Sequence, residues 1–154
     1  MDVNREKGLE FGPQFVKNEE LAALLREVKT VAVLGAKDKP SQAVDRVGRY
    51  LLDHGFTVVP VHPVRTMVWG LEAYPSLGEV PGPIDLVDAF RAAVHCPGHV
   101  REALALAVRP RIFWVQSGII SPEAMSLAKE GGMVYIEDRC LMVEHDRLLR
   151  EGWL

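Results

Sequence analysis

Five short runs of apolar residues, Val31–Leu34, Val58–Val61, Leu86–Ala89, Ile112–Val115 and Met133–Ile136, begin 27, 28, 26 and 21 residues apart in a chain of 154 residues. Each run is apolar at nearly every position rather than at alternate ones. That pattern describes strands covered on both faces, the environment of a parallel sheet. Parallel neighbours need a crossover of a dozen or more residues, usually a helix, and each gap is long enough to hold one. Right-handed crossovers then predict a doubly wound α/β fold: a parallel five-stranded sheet with helices on both faces. It is expected to be a single domain over residues 1–154, with a core of about 19–149.

The segments between the runs carry helical periodicity. Leu21, Leu24, Leu25 and Val28 fall at i, i+3, i+4 and i+7. Val44, Val47 and Leu51 form a second stripe, with Gly48 one turn above Val44 and Gly55 where the helix would stop. Val100, Ala103, Leu104 and Ala107 form a third. Ser121-Pro122-Glu123 has the hydroxyl cap, first-turn proline and acid of a helix start, and Gly131-Gly132 closes that helix. Leu141–Leu149 is expected to be a terminal helix. Pro63 to Pro83 breaks every period and is expected to be a long loop with one helical turn around Ser76–Glu79.

Composition narrows the function. Apolar residues are 48% of the chain, enough for a core without disulfides, and the net charge of −3 argues against a general nucleic-acid binder. Cys96 and Cys140 are the only cysteines, which suits a reduced cytoplasmic protein. Met1–Gly12 is charged throughout and lacks the apolar stretch of a signal peptide, and no apolar run approaches the ~18 residues of a membrane span.

Ligands of open parallel sheets bind beyond the carboxyl ends of the strands, where the strand order reverses. The residues after the first four runs are therefore the candidates to border one crevice. They include Gly35, Ala36, Lys37, Lys39 and Pro40, then His62, Pro63 and Arg65, then Phe90 and Arg91, then Gln116, Ser117, Gly118 and Ile119. Gly35 permits a tight turn, and helix-start signals at Pro40 and Ser41 would offer backbone amides to a pyrophosphate, with Lys37, Lys39 and Arg46 adding charge. The turn lacks the G-x-G-x-x-G fingerprint. A bare NAD ribose would call for an acid after the second strand, but His62-Pro63 and Arg65 stand there and suit an additional phosphate, as in NADP or coenzyme A.

Other chemistries find little support. Ser117 lacks a G-x-S-x-G elbow and a placeable His–acid pair. His95 and His99 flank Cys96-Pro97-Gly98 rather than sharing a helix face, and no metal site or catalytic residue is expected. Cys140 is read first as a small buried packing residue, although it follows Arg139 and precedes the terminal helix, two features that lower a thiol pKa and make a reactive thiol the alternative.

Several motifs occur in one order along nearly the whole chain: V-A-V-L-G-A-K-D-K-P from Val31 to Pro40, V-x-P-V-x-P ending at Pro63, G-x-x-x-Y-P-S-L from Gly70 to Leu77, V-D-x-F-R from Val87 to Arg91, W-x-Q-x-G-I from Trp114 to Ile119 and D-R-C-x-x-x-E-H from Asp138 to His145. In these the chain resembles the small stand-alone CoA-binding domain proteins, which are similar to the CoA-binding domain of the succinyl-CoA synthetase α subunit. The resemblance implies a Rossmann-type five-stranded sheet, and coenzyme A or an acyl-CoA as ligand. It implies Gly35–Pro40 and the following turn near the pyrophosphate, Pro63 and Arg65 near the adenosine and its phosphate, and Phe90 and Arg91 as another wall. Gln116, Ser117 and Gly118 would face the pantetheine. The chain departs from the family pattern at Gln42 and Val44, where arginine and serine are usual, and at His62, where asparagine is usual.

The expected function is thus a non-catalytic or regulatory coenzyme A-binding protein, compatible with a homodimer. Its competitors are a minimal NADP-dependent oxidoreductase and an interaction module with a vestigial crevice. Tyr50, Tyr74 and Tyr135 lack the lysine four residues later that a common reductase pair requires.

Overall fold

The computed structural model describes residues 17–154, so the reading of Met1–Gly12 lies outside the described residues. In chain order the elements are α1 (Asn18–Arg26), β1 (Thr30–Leu34), α2 (Ala43–Asp53), β2 (Thr57–Val61), β3 (Met67–Val68) and β4 (Leu71–Glu72). They continue as β5 (Leu86–Ala89), α3 (Cys96–Leu104), β6 (Ile112–Val115), α4 (Pro122–Glu130), β7 (Val134–Ile136) and α5 (Leu141–Arg150). All five expected strands form, and they pair in parallel in the order β2-β1-β5-β6-β7. The chain goes outward from β1 to β2 and then returns to the other side of β1, so the strand order reverses between β1 and β5.

Alternate strand residues feed two cores. Val31, Val33, Leu86, Ile112, Trp114 and Ile136 face α1, α2 and α5, while Ala32, Leu34, Val87, Ala89, Phe113 and Tyr135 face α3 and α4. Both faces are therefore covered, as runs without alternation require. One residue breaks the pattern. Asp88 is 0% exposed, stands in register between Val33 and Trp114, and neither carboxylate oxygen has a hydrogen-bond partner. Burial holds its carboxyl well above the ordinary range, as an uncompensated charge in this apolar layer would be costly.

The local signals mostly hold. Ser121 accepts a hydrogen bond from the Ala124 amide at 3.2 Å, with Pro122 opening α4. Gly55 and Gly132 take positive φ just beyond α2 and α4. Three details differ. The second helix starts at Ala43 rather than at Pro40 or Ser41, because Pro40–Ser41 forms a turn closed by the Gln42 amide on Lys39 O at 2.9 Å. Ala107 lies beyond the end of α3 and is exposed, so it does not share the buried stripe of Val100 and Ala103. The supposed loop contains a β3–β4 hairpin as well as the expected helical turn, which is a 3₁₀ turn at Leu77–Glu79. Two-residue strands carry too few side chains for a period to show. The hairpin turns at Trp69 and Gly70, both at positive φ, as a tight turn matching strand twist requires. Among the described residues no helix is long and apolar enough to cross a membrane.

Candidate functional site

The reversal between β1 and β5 sends α2 to one face of the sheet and α3 to the other, and a cavity of about 460 Å³ opens between their beginnings. Gly35, Lys37, His62, Pro63, Phe90 and Arg91, expected from the strand ends, line it together with Gln42 and Val44, which only the family resemblance put at the site. Ala43, Ala92 and His95 complete the wall. His95 was not expected there. It arrives because a 3₁₀ turn, Ala93–His95, folds the chain back over the strand end before α3 begins.

Gly35 shapes the floor. Its φ is +78°, and a Cβ there would lie 2.6 Å from the Phe90 carbonyl oxygen. Its amide and that of Ala36 both donate to Val61 O, at 2.9 and 3.3 Å, so this turn is fastened to β2. Ala36 itself is 0% exposed and belongs to the core rather than to the cavity wall. The amides near the cavity come instead from Ala43 and Val44, in the first turn of α2, where a helix supplies no acceptors of its own. Lys39 and Pro40 are exposed outside the cavity, and so is Arg46.

His62 organises the second wall. Its Nδ1 accepts from the Val64 amide at 3.1 Å and the Arg65 amide at 3.0 Å. An asparagine side chain makes the same kind of turn, so the ring nitrogen takes over the acceptor role of the usual residue. Burial and the charges of Arg65, Lys37 and Arg91 push the imidazole below its ordinary value. Burial is the larger cause, and the three cations near the ring add to it. Arg65 is one of them but does not line the cavity, and its guanidinium pairs with Asp38 at 3.2 Å.

The first turn of α2 also carries Asp45, 3% exposed, which would oppose an anion if it were free. Arg49 holds both its oxygens at 3.0 Å and the Trp69 indole donates at 2.9 Å, so the acid is neutralised and turned away. Neither Trp69 nor Asp45 was legible as part of this support, since the indole reaches α2 from the hairpin.

The fourth strand end behaves differently. Ser117 lines a second cavity of about 400 Å³ above β6 and β7, together with Ile120, Glu137, Asp138, Arg139, Cys140, Val143 and Glu144. Gly118 is exposed, its amide donating to Asp138 Oδ1 at 2.7 Å, and Ile119 packs against the α3–α4 core. Gln116 is 7% exposed and its Oε1 has no hydrogen-bond partner. The strand ends expected to border one crevice therefore border two, and the segment Glu137–Cys140, left outside the crevice by the sequence reading, lines the second.

The model of the CoA binding domain family matches residues 29–146. Uncharacterized protein YneT of Bacillus subtilis (strain 168) is 35% identical over 126 residues, covering 82% of this chain and 92% of that protein. The solved structure of cell-free ID.343 from Thermus thermophilus is 44% identical with a TM-score of 0.81, covering 86% of this chain and 98% of the other. A hypothetical protein from Pyrococcus horikoshii OT3 is 34% identical with a TM-score of 0.82, covering 86% and 92%.

Proposed function

Because this chain belongs to the CoA binding domain family, we propose that it binds coenzyme A or an acyl-CoA in the crevice between β1 and β5, as a non-catalytic or regulatory binding protein. The observation that carries this reading is the cavity between two helix beginnings, with Lys37 and Arg91 in its wall and a neutral His62 beside them. Helix N-termini and fixed cations are the standard apparatus for holding phosphate. In this reading Gly35, Lys37, Gln42 and Val44 face the pyrophosphate, with Lys39 and Pro40 in the exposed turn beside the cavity, and Pro63 and Arg65 lie near the adenosine phosphate. Phe90 and Arg91 form the opposing wall, and the pantetheine passes Gln116 towards Ser117 and Gly118.

A thermal-shift panel of coenzyme A, acetyl-CoA, NADP, NAD and ATP tests it. A ligand at about a hundred times its dissociation constant adds about 2.7 kcal/mol, and each kcal/mol moves the midpoint of a domain of this size by about 2–4 °C. The expected result is a shift with coenzyme A or acetyl-CoA and none with NAD. A response to NADP alone supports a minimal oxidoreductase instead. Silence across the panel leaves an interaction module with a vestigial crevice.

A further inference from the structure

We infer that the carboxyl edge of the sheet is a self-complementary docking face for a second copy of this chain, and that the docked copy closes the β1/β5 crevice. The dimer stands apart from the reading of that crevice as a coenzyme A site; only its release by coenzyme A rests on that reading.

Charge divides this edge in two. The order β2-β1-β5-β6-β7 puts the first cavity towards one end and the second, above β6 and β7, at the other. The first has two fixed cations in its wall, Lys37 and Arg91, and among the described residues no carboxylate lines it. Lys39 stands exposed in the turn beside it, while the Arg65–Asp38 pair adds no net charge. The second has three carboxylates, Glu137, Asp138 and Glu144, against one guanidinium, Arg139. Glu144 answers Arg139 at 3.2 Å, which leaves a net negative charge from Glu137 and Asp138.

A two-fold axis through the central strand β5, along the normal of the sheet, turns β2 of one copy over β7 of the other and β1 over β6. Each positive half then faces a negative half, and the same patch serves both copies, as an isologous dimer requires.

Apolar side chains fit the same arrangement. Val64, Val94, Ile120 and Val143 are 81%, 80%, 55% and 51% exposed, and each follows a different strand: β2, β5, β6 and β7. Single exposed apolar residues are ordinary, but these four rise from one edge, around the two cavities. Val143 stands in the first turn of α5, and Val64 leads into the hairpin whose Trp69 packs on α2, so both lie on the α2/α5 side of the sheet. Rotation about the sheet normal keeps them on that side and brings Val64 opposite Val143 of the second copy.

In this dimer the acidic half of the second copy sits over the mouth of the crevice. An anionic ligand cancels the charge that attracts it and needs the same opening, so ligand and second copy exclude each other.

Sedimentation equilibrium of the whole chain tests the inference. Ligand-free protein should dimerise at about 0.1 M salt and at least about tenfold more weakly at about 1 M, where the screening length falls from about 10 to about 3 Å. Val64→Glu sets an acid against the acidic half, and Val143→Lys sets a cation against the basic half. Each should weaken association at least about tenfold, because like charges then face each other. The two together in one chain should restore it to within about threefold of the wild type, since each new acid then faces a new cation. A protein that stays monomeric at the lower salt leaves this face to another partner and overturns the inference. So does a dimer indifferent to both substitutions, or one in which the pair is no better than either alone. Coenzyme A should shift the dimer to monomer. Calorimetric binding of coenzyme A without dissociation overturns the closing of the crevice, whereas no calorimetric binding removes the coenzyme A reading and leaves the salt and substitution results to decide the docking face.

Discussion

The indole of Trp69 lies so close over Gly48 that a Cβ on the glycine would be 2.1 Å from a ring carbon. Trp69 reaches this seat from a hairpin turn at φ +54°, a rare conformation for a bulky residue, and its Nε1 is tied to Asp45 on the same helix. In an open helix Gly→Ala gains up to about 1 kcal/mol. Here the overlap wins, and Gly48→Ala should destabilise by about 1–3 kcal/mol in urea unfolding. Trp69→Ala in the same background should remove most of that penalty, because the two changes share one contact. Additive effects would show that the penalty does not arise from the Trp69 ring.

Gly35 meets a harder neighbour. Alanine there would take an unfavourable φ and press its Cβ against the Phe90 carbonyl, which is backbone and cannot rotate away. Gly35→Ala should cost about 1–3 kcal/mol and lower coenzyme A affinity, since the displaced strand end carries Arg91. Unchanged stability with unchanged affinity would refute the close approach.

Asp88 gives the alkaline limb of the stability profile a definite sign. Its folded carboxyl titrates well above the ordinary range, so between about pH 4 and its folded pKa the native state holds a proton that the unfolded state has released. Stability should therefore fall as pH rises through that window. Asp88→Asn removes the ionisable group at nearly the same shape, and urea midpoints measured from pH 5 to 8 should lose this slope. A slope retained in Asp88→Asn would place its origin elsewhere.

His145 acts in the opposite direction. Its Nδ1 is 2.7 Å from the Tyr50 hydroxyl, a bond joining α5 to α2. Burial, followed by the nearby His54, lowers the imidazole from its ordinary 6.5, and burial together with the Asp146 charge raises Tyr50 to about 12. The native state resists protonation that the unfolded state accepts, so stability should drop as pH falls below about 6.5. His145→Gln, followed by thermal melts at pH 5 and 7.5, should show a smaller difference than the wild type.

The pairing of Arg65 with Asp38 makes a prediction about affinity. In the proposed mode, Arg65→Ala should weaken coenzyme A more than dephospho-coenzyme A. Asp38→Asn, which releases the guanidinium, should tighten coenzyme A by up to about tenfold, the equivalent of 1.4 kcal/mol. Calorimetry with the two ligands decides, and equal losses for both in Arg65→Ala would refute a contact with that phosphate.

The five strands, their parallel pairing and most of the helices were legible in the chain alone, because the information is local. A run that is apolar at nearly every position has to be covered on both faces, and every interval is long enough for a crossover, which carries an α-helix in all but the one after β2. The same logic identified Gly35, Lys37, His62, Phe90 and Arg91 as residues of one edge, since each directly follows a strand. What the chain alone could not decide depended on contacts far apart in sequence. The two-residue hairpin strands carry no period of their own, and Trp69 finds Gly48 only after the sheet has brought them together. Asp88 reads as an ordinary motif residue until its neighbours Val33 and Trp114 close over it. Likewise, the first four strand ends look like parts of one crevice in sequence, whereas the order β2-β1-β5-β6-β7 gives Arg91 and Ser117 to different cavities. Periodicity determines which residues reach the carboxyl edge of the sheet, but only the lateral order of the strands determines which of them meet.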